Sequence, residues 1–142
     1  IQKQYLRKEL IHKDPRVLPT FDLQTIKAIQ TIGNQGDNRF ETWFDALEFM
    51  KSEIDKKDYD ICLLGCGAYG FPLAAHIKRS GKKAVHLGGS LQLLFGIRGA
   101  RWENNNYNAT YNYSKLMNEY WVKPSKTETP FKAQQVEEGC YW

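Results

Sequence analysis

Apolar residues recur at helical spacing in one long stretch. Phe40, Trp43, Phe44, Leu47, Met50 and Ile54 follow one another every three or four positions from about Phe40 to Lys56, which predicts an amphipathic helix with an aromatic stripe in the core. Upstream the pattern is shorter and interrupted. Gln2 to Ile11 can form a helix that must end before Asp14-Pro15 and Pro19. Thr20 or Asp22 can cap a second short helix carrying Leu23, Ile26 and Ile29 on one face, stopped at Gly33. The loop Gly33-Asn34-Gln35-Gly36-Asp37-Asn38 then leads into the long helix.

After the charged turn Asp55-Lys56-Lys57-Asp58 the periodicity changes. Tyr59 to Leu64 is a short apolar run that reads as a buried parallel strand, stopped by Gly65. Pro72 suits the first turn of a helix continued by Leu73 to Arg79, and Gly81 sits where a left-handed cap is wanted. Lys83 to Leu87 is the next strand, ended by Gly88-Gly89, and Ser90 can cap a helix from Leu91 to Phe95 that runs into Gly96-Ile97-Arg98-Gly99. Strand, helix and strand in about 30 residues make a βαβ unit with parallel strands and a right-handed crossover. The fold class expected is α/β, a Rossmann-like open parallel sheet with flanking helices and an aromatic-rich irregular C-terminal extension. It is read as a single nucleotide-binding-like domain over 1–142, with a helical lead-in (1–57), a βαβ site region (58–101) and an aromatic tail (102–142).

The tail differs in kind from what precedes it. From Trp102 onward nine residues are aromatic and six are Asn, so it is expected to pack on the domain, with a helix from Ser114 to Val122. No internal repeat is visible. Asn108-Ala109-Thr110 and Asn112-Tyr113-Ser114 match the glycosylation acceptor pattern but read as loop chemistry without a secretory leader.

Composition narrows the class. A chain of 142 residues with 42% hydrophobic and 25% charged positions can bury one core, which argues against disorder, collagen or a disulfide scaffold. No apolar run approaches the roughly 20 residues of a membrane helix. No charged-then-apolar leader follows Ile1, and the chain is expected to be the carboxyl-terminal part of a longer one. Cys62, Cys66 and Cys140 are an odd set without C-x-x-C spacing, which points to neither a disulfide framework nor a zinc site and fits a reducing, cytoplasmic compartment.

Charge is distributed unevenly. Residues 1–60 and 102–142 each carry a net −1, whereas Ile61 to Arg101 holds six basic residues (Lys78, Arg79, Lys82, Lys83, Arg98, Arg101) and no acidic one. A stretch without carboxylates suits a phosphate-bearing ligand more than duplex nucleic acid, which wants a broader basic face.

The strongest chemical signal lies there. Gly65-Cys66-Gly67-Ala68-Tyr69-Gly70 fits G-x-G-x-x-G between a strand and a helix, where small residues let the backbone approach a diphosphate and the helix start offers unpaired N–H donors. The alternative is a tight turn that needs glycine for backbone reasons only. A dinucleotide enzyme would place an acid about 20 residues on, to hold a ribose. That place reads His86-Leu87-Gly88-Gly89, which weakens NAD and NADP as ligands.

Two glycine loops at the ligand edge leave room for an extended ligand. The candidate ligand-binding set is Gly65, Cys66, Gly67, Ala68, Tyr69, Gly70, His86, Gly88, Gly89, Ser90, Gln92, Arg98 and Arg101. His86 reads first as a hydrogen-bonded core histidine, and joins the set by its place on the second strand. Arg98 and Arg101 are candidates for bidentate phosphate contacts. Asp58-Tyr59-Asp60 spells the D-x-D of many sugar-nucleotide enzymes, but it precedes its strand and so lies at the opposite edge. No catalytic base and no metal ligand can be named.

Gly65 to Arg79, His86-Leu87-Gly88-Gly89-Ser90-Leu91-Gln92-Leu93-Leu94-Phe95-Gly96, Tyr120-Trp121 and the ending Gly139-Cys140-Tyr141-Trp142 together resemble the carboxyl-terminal half of a bacterial polysaccharide-biosynthesis family, over nearly the whole chain. More distantly, Asp60 to Gly89 is similar to the nucleotide-sugar half of glycosyltransferases with the D-type fold. In those enzymes a Gly-rich turn approaches the nucleotide diphosphate, which carries over to Gly65, Cys66 and Gly67. Their metal-holding acidic motif lies earlier in the chain and has no match in residues 1–60.

The resemblance implies a sugar-nucleotide-dependent glycosyltransferase, or its nucleotide-binding half, in surface polysaccharide synthesis. Its partners would be a nucleotide sugar and a glycan acceptor. Any Mn or Mg would be held by residues outside this chain, and the location would be cytoplasmic or peripheral at the inner membrane face. A non-catalytic nucleotide- or phosphosugar-binding module and an NAD(P)-dependent oxidoreductase are the competing readings. Donor, acceptor and oligomeric state are open.

Overall fold

The computed structural model describes residues 1–30, 37–104 and 110–142. The chain divides into two compact units, one made of Gln24–Leu91 and the other of Ile1–Leu23 with Gln92–Trp142. The helix stop expected at Gly33, the loop through Gly36 and the Asn108-Ala109 part of the first acceptor pattern lie outside the described residues.

In the unit Gln24–Leu91 the long helix forms as α3 (Trp43–Asp55), after two short helices, α1 (Gln2–Tyr5) and α2 (Lys8–Ile11), in the other unit. Thr42 starts α3 through a capping box: its hydroxyl accepts from the Asp45 N–H at 3.2 Å, and the Asp45 carboxylate accepts from the Thr42 N–H at 2.9 Å. Two orphan donors are thereby satisfied. Ala46, Leu47, Met50 and Ile54 form the buried stripe, and each large side chain contributes roughly 1.5–3 kcal/mol by leaving water. The expected stripe needs one correction. Phe44 is 69% exposed, while Phe49 packs against the core.

The βαβ unit follows. β1 (Ile61–Leu64) and β2 (Lys83–His86) pair in parallel, Ile61 opposite Lys83 and Leu64 opposite His86, with α4 (Gly70–Arg79) between them. Pro72 stands in the first turn of α4, where a missing N–H costs nothing. Gly81 takes φ +81° after it, the left-handed cap that the sequence predicts. Leu64 of β1 and Leu73 and Ile77 of α4 join the α3 stripe, Tyr69 and Ile29 in one core.

Among the described residues the sheet has these two strands. This is a mixed helix-and-strand fold with a small parallel sheet, and the described residues do not show the full open sheet expected. Nor does the second lead-in helix form among the described residues. Residues 20–30 have no regular structure, because a helix of that length is marginal in water and β-branched Thr25, Ile26 and Ile29 favour extended backbone. Ile29 still reaches the core.

The other unit is held by polar side chains that clamp distant backbone. The buried Gln4 amide donates to the Gly96 and Tyr120 carbonyls at 3.0 and 3.2 Å. Trp121 Nε1 donates to the Ile11 carbonyl at 3.1 Å, and Asn118 donates to that of Leu10 at 2.9 Å. These contacts replace the helix expected over Ser114 to Val122. A 3-10 turn (Tyr113–Leu116), capped by Asn112, ends at extended Met117, and Val122 bridges in parallel to Ile97. In the tail Trp102, Trp121 and Cys140 are buried, as are Ile11, Leu18 and Phe95 of the same unit. Helices α5 (Ser90–Leu94) and α6 (Ala100–Glu103) complete the described elements apart from short 3-10 turns. No helix among the described residues is long and apolar enough to cross a membrane.

Candidate functional site

The level ends of β1 and β2 set two turns side by side. The N–H groups of Leu87 and Gly88 both donate to the carbonyl of Leu64, the last residue of β1, at 2.9 and 3.2 Å. The second turn is thus anchored to the strand that feeds the first. Gly65, Gly67 and Ala68 are exposed. Gly67 has φ +53° and Gly88 φ +56°, and a Cβ at either would meet nothing within 4 Å. Both turns adopt left-handed backbone at a single glycine and leave open space beside it.

A 3-10 turn (Gly67–Tyr69) runs directly into α4. The Cys66 carbonyl accepts from the Tyr69 N–H at 3.2 Å, and that of Gly67 accepts from Gly70. The carbonyls are therefore spent inside the helix start. The N–H groups of Cys66, Gly67 and Ala68 have no backbone acceptor among the described residues. Unpaired donors at the positive end of a helix attract an anion.

The glycines of the motif do different jobs. At Gly65 a Cβ would stand 2.9 Å from the Gly88 carbonyl oxygen and 2.8 Å from a Leu91 methyl, so its absence lets the two turns touch. At Gly70 a Cβ would run into the His86 imidazole. Of these three glycines Gly67 alone borders open space among the described residues. Cys66 contributes backbone: its side chain packs against the core, and burial, with Cys62 nearby, pushes its thiol up to about 11. Tyr69 is turned inward too, 4% exposed and stacked on Trp43 at 4.7 Å.

His86 carries the largest surprise. The sequence suggests a hydrogen-bonded core histidine, yet its Nε2 is buried with no hydrogen-bond partner among the described residues. The ring lies under Gly70 and meets Phe71 edge-to-face, centroids 5.1 Å apart. Phe71 itself is 77% exposed. In the sequence Phe71 is marked only by its place, an aromatic residue directly after the third glycine of the motif.

Gln92, Arg98 and Arg101 belong to the other unit, and there they have partners of their own. Gln92 donates to the Tyr141 carbonyl at 3.0 Å and accepts from Trp102 Nε1 at 3.3 Å. Arg101 pairs with Glu137, donates to the Tyr141 hydroxyl at 2.7 Å and lies over the Tyr141 ring. Arg98 Nε lies 3.6 Å from Glu103, an ion pair, and among the described residues has no hydrogen-bond partner. Carboxylates supplied from beyond Arg101 thus offset two charges of the acid-free stretch. Ser90 is exposed at the start of α5, and Gly89 precedes it in the second turn. Asp60 stands just before β1, at the edge opposite the turns, as its position in the sequence implies.

No group of three or more His, Cys, Asp or Glu residues that could hold a metal ion occurs among the described residues. The divalent metal that the resemblance implies therefore finds no such set of ligands among them. No protein-family model, no curated protein and no solved structure matches the chain.

Proposed function

We propose that the glycine turn after β1 binds the diphosphate of a nucleotide sugar, and that the chain is the nucleotide-binding half of a glycosyltransferase acting in bacterial surface polysaccharide synthesis. The βαβ unit is then part of a Rossmann-like nucleotide fold. One observation carries this reading: the exposed, left-handed Gly67, with open space at its Cα, stands among three backbone N–H groups that lack backbone acceptors among the described residues, at the start of α4. Backbone amides and the helix dipole would stabilise the negative charge that grows on the leaving diphosphate. The donor class, the polysaccharide setting and a cytoplasmic or membrane-peripheral location rest on the family resemblance.

A second reading, a binding module without chemistry, is favoured by one fact. Ile61 to Arg101 contains no Asp or Glu, so neither turn supplies a carboxylate base. A thermal-shift panel of nucleotide sugars, nucleoside diphosphates and NAD(P), with and without manganese, tests both readings, since a ligand that binds only the folded state raises apparent stability. Stabilisation by a nucleotide sugar together with release of free nucleotide supports the transferase. Stabilisation without release supports the module, and stabilisation by NAD(P) alone refutes both.

A further inference from the structure

Phe71 is the residue of this region that packing does not explain. It follows the glycine motif directly, in the first turn of α4, and is 77% exposed, whereas Tyr69 two positions earlier is 4% exposed and Leu73 two positions later is 2% exposed. Its ring is nevertheless located. It stands at 88° to the His86 imidazole with centroids 5.1 Å apart, and His86 is the last residue of β2. The His86 ring is wedged under Gly70, where no Cβ fits. A half-buried ring with its Nε2 buried thus props an exposed one over the end of the second strand, one strand across from the glycine turn.

In parallel α/β nucleotide sites the diphosphate lies at the first turn and the nucleoside extends toward the end of the second strand. At that place this chain offers an open phenyl face and no acid. From this geometry we infer that Phe71 is the stacking platform for the base of a nucleoside diphosphate held at the glycine turn. The inference rests on the diphosphate reading above and adds a residue and a ligand moiety to it. Stacking on a phenyl ring uses the π-face that every base has. The platform therefore raises affinity for nucleoside diphosphates over inorganic pyrophosphate without choosing strongly among bases.

The test is calorimetric titration of UDP, ADP and inorganic pyrophosphate into the wild-type chain and into Phe71→Ala, Phe71→Leu and Phe71→Trp. Because Phe71 is exposed, all three variants are expected to keep the wild-type melting temperature. Removing one base–aromatic stack is expected to weaken UDP and ADP about tenfold in Phe71→Ala. Phe71→Leu, which keeps apolar area but not the ring, falls with it, while Phe71→Trp binds at least as tightly as wild type. Pyrophosphate binding stays unchanged in every variant. If nucleotide affinity does not move, or if pyrophosphate falls in parallel, the platform is refuted and the diphosphate turn survives. If the wild-type chain binds none of the three probes, the diphosphate reading falls and the platform falls with it.

Discussion

Gly70 is a glycine because of His86. A Cβ at position 70 would stand 2.6 Å from Cδ2 of that imidazole and closer still to Nε2 and Cε1. Helix α4 can therefore settle on β2 only where the side chain is missing. Gly70→Ala should cost about 1–3 kcal/mol in urea unfolding, as overpacking does. His86→Ala should recover much of that loss in the double variant, because residues in contact do not add. Additive losses would show that the ring does not set the spacing.

Gly67 is the contrasting case, since no neighbour crowds it and only its φ of +53° favours glycine. Asn and Asp both tolerate that conformation and are close in shape. Gly67→Asn and Gly67→Asp should therefore lose similar, small stability. Next to the unpaired amides of the turn, the Asp carboxylate should abolish binding of UDP and pyrophosphate, while Asn weakens it. Equal affinities for the two variants in calorimetry would move the phosphate away from Gly67.

The elements legible in the sequence are those whose signal is local. α3, β1, α4 and β2 are marked by period, by Pro72 and by Gly81, and Leu47, Met50 and Ile54 lie in the core as their spacing implies, where Leu73 and Ile77 of α4 join them. The helix expected over Ser114 to Val122 failed because Asn118 and Trp121 spend their side chains on the Leu10 and Ile11 carbonyls, contacts that no local window contains. At the site the two turns were legible and the division of labour among the glycines was not. That depends on what the second strand places beneath each Cα.

The partners of Arg101 were equally hidden, and they carry a prediction. Its side chain is 14% exposed, and its guanidinium pairs with Glu137 and donates to the Tyr141 hydroxyl. Charge-assisted contacts of this kind contribute about 1.5–3 kcal/mol, so Arg101→Gln should lower unfolding stability by that order. Lys82→Gln should cost less, about 0.5–1 kcal/mol for an ammonium resting on the half-buried Tyr59 ring. If Arg101→Gln leaves stability unchanged and weakens nucleotide binding instead, the residue serves the ligand and not the packing of the tail.

Cys66 ties the turn to the core, and its thiol reports on that tie. Burial, with Cys62 nearby, pushes it up to about 11 from an ordinary value of 9.0, so the folded state favours the neutral thiol. A group raised on folding stabilises the fold fully below its unfolded value and ceases to do so as pH climbs through its folded one. The contribution of Cys66 should therefore be complete at pH 8 and fade between about 9 and 11. Because the thiolate is the reactive form, iodoacetamide at pH 8 should label Cys66 far more slowly in the native protein than in urea. The native rate should rise steeply only toward pH 11. Peptide mapping by mass spectrometry separates Cys66 from Cys62 and Cys140. Native labelling at pH 8 as fast as in urea would place the thiol outside, in the turn, where it would compete with the backbone amides for the ligand.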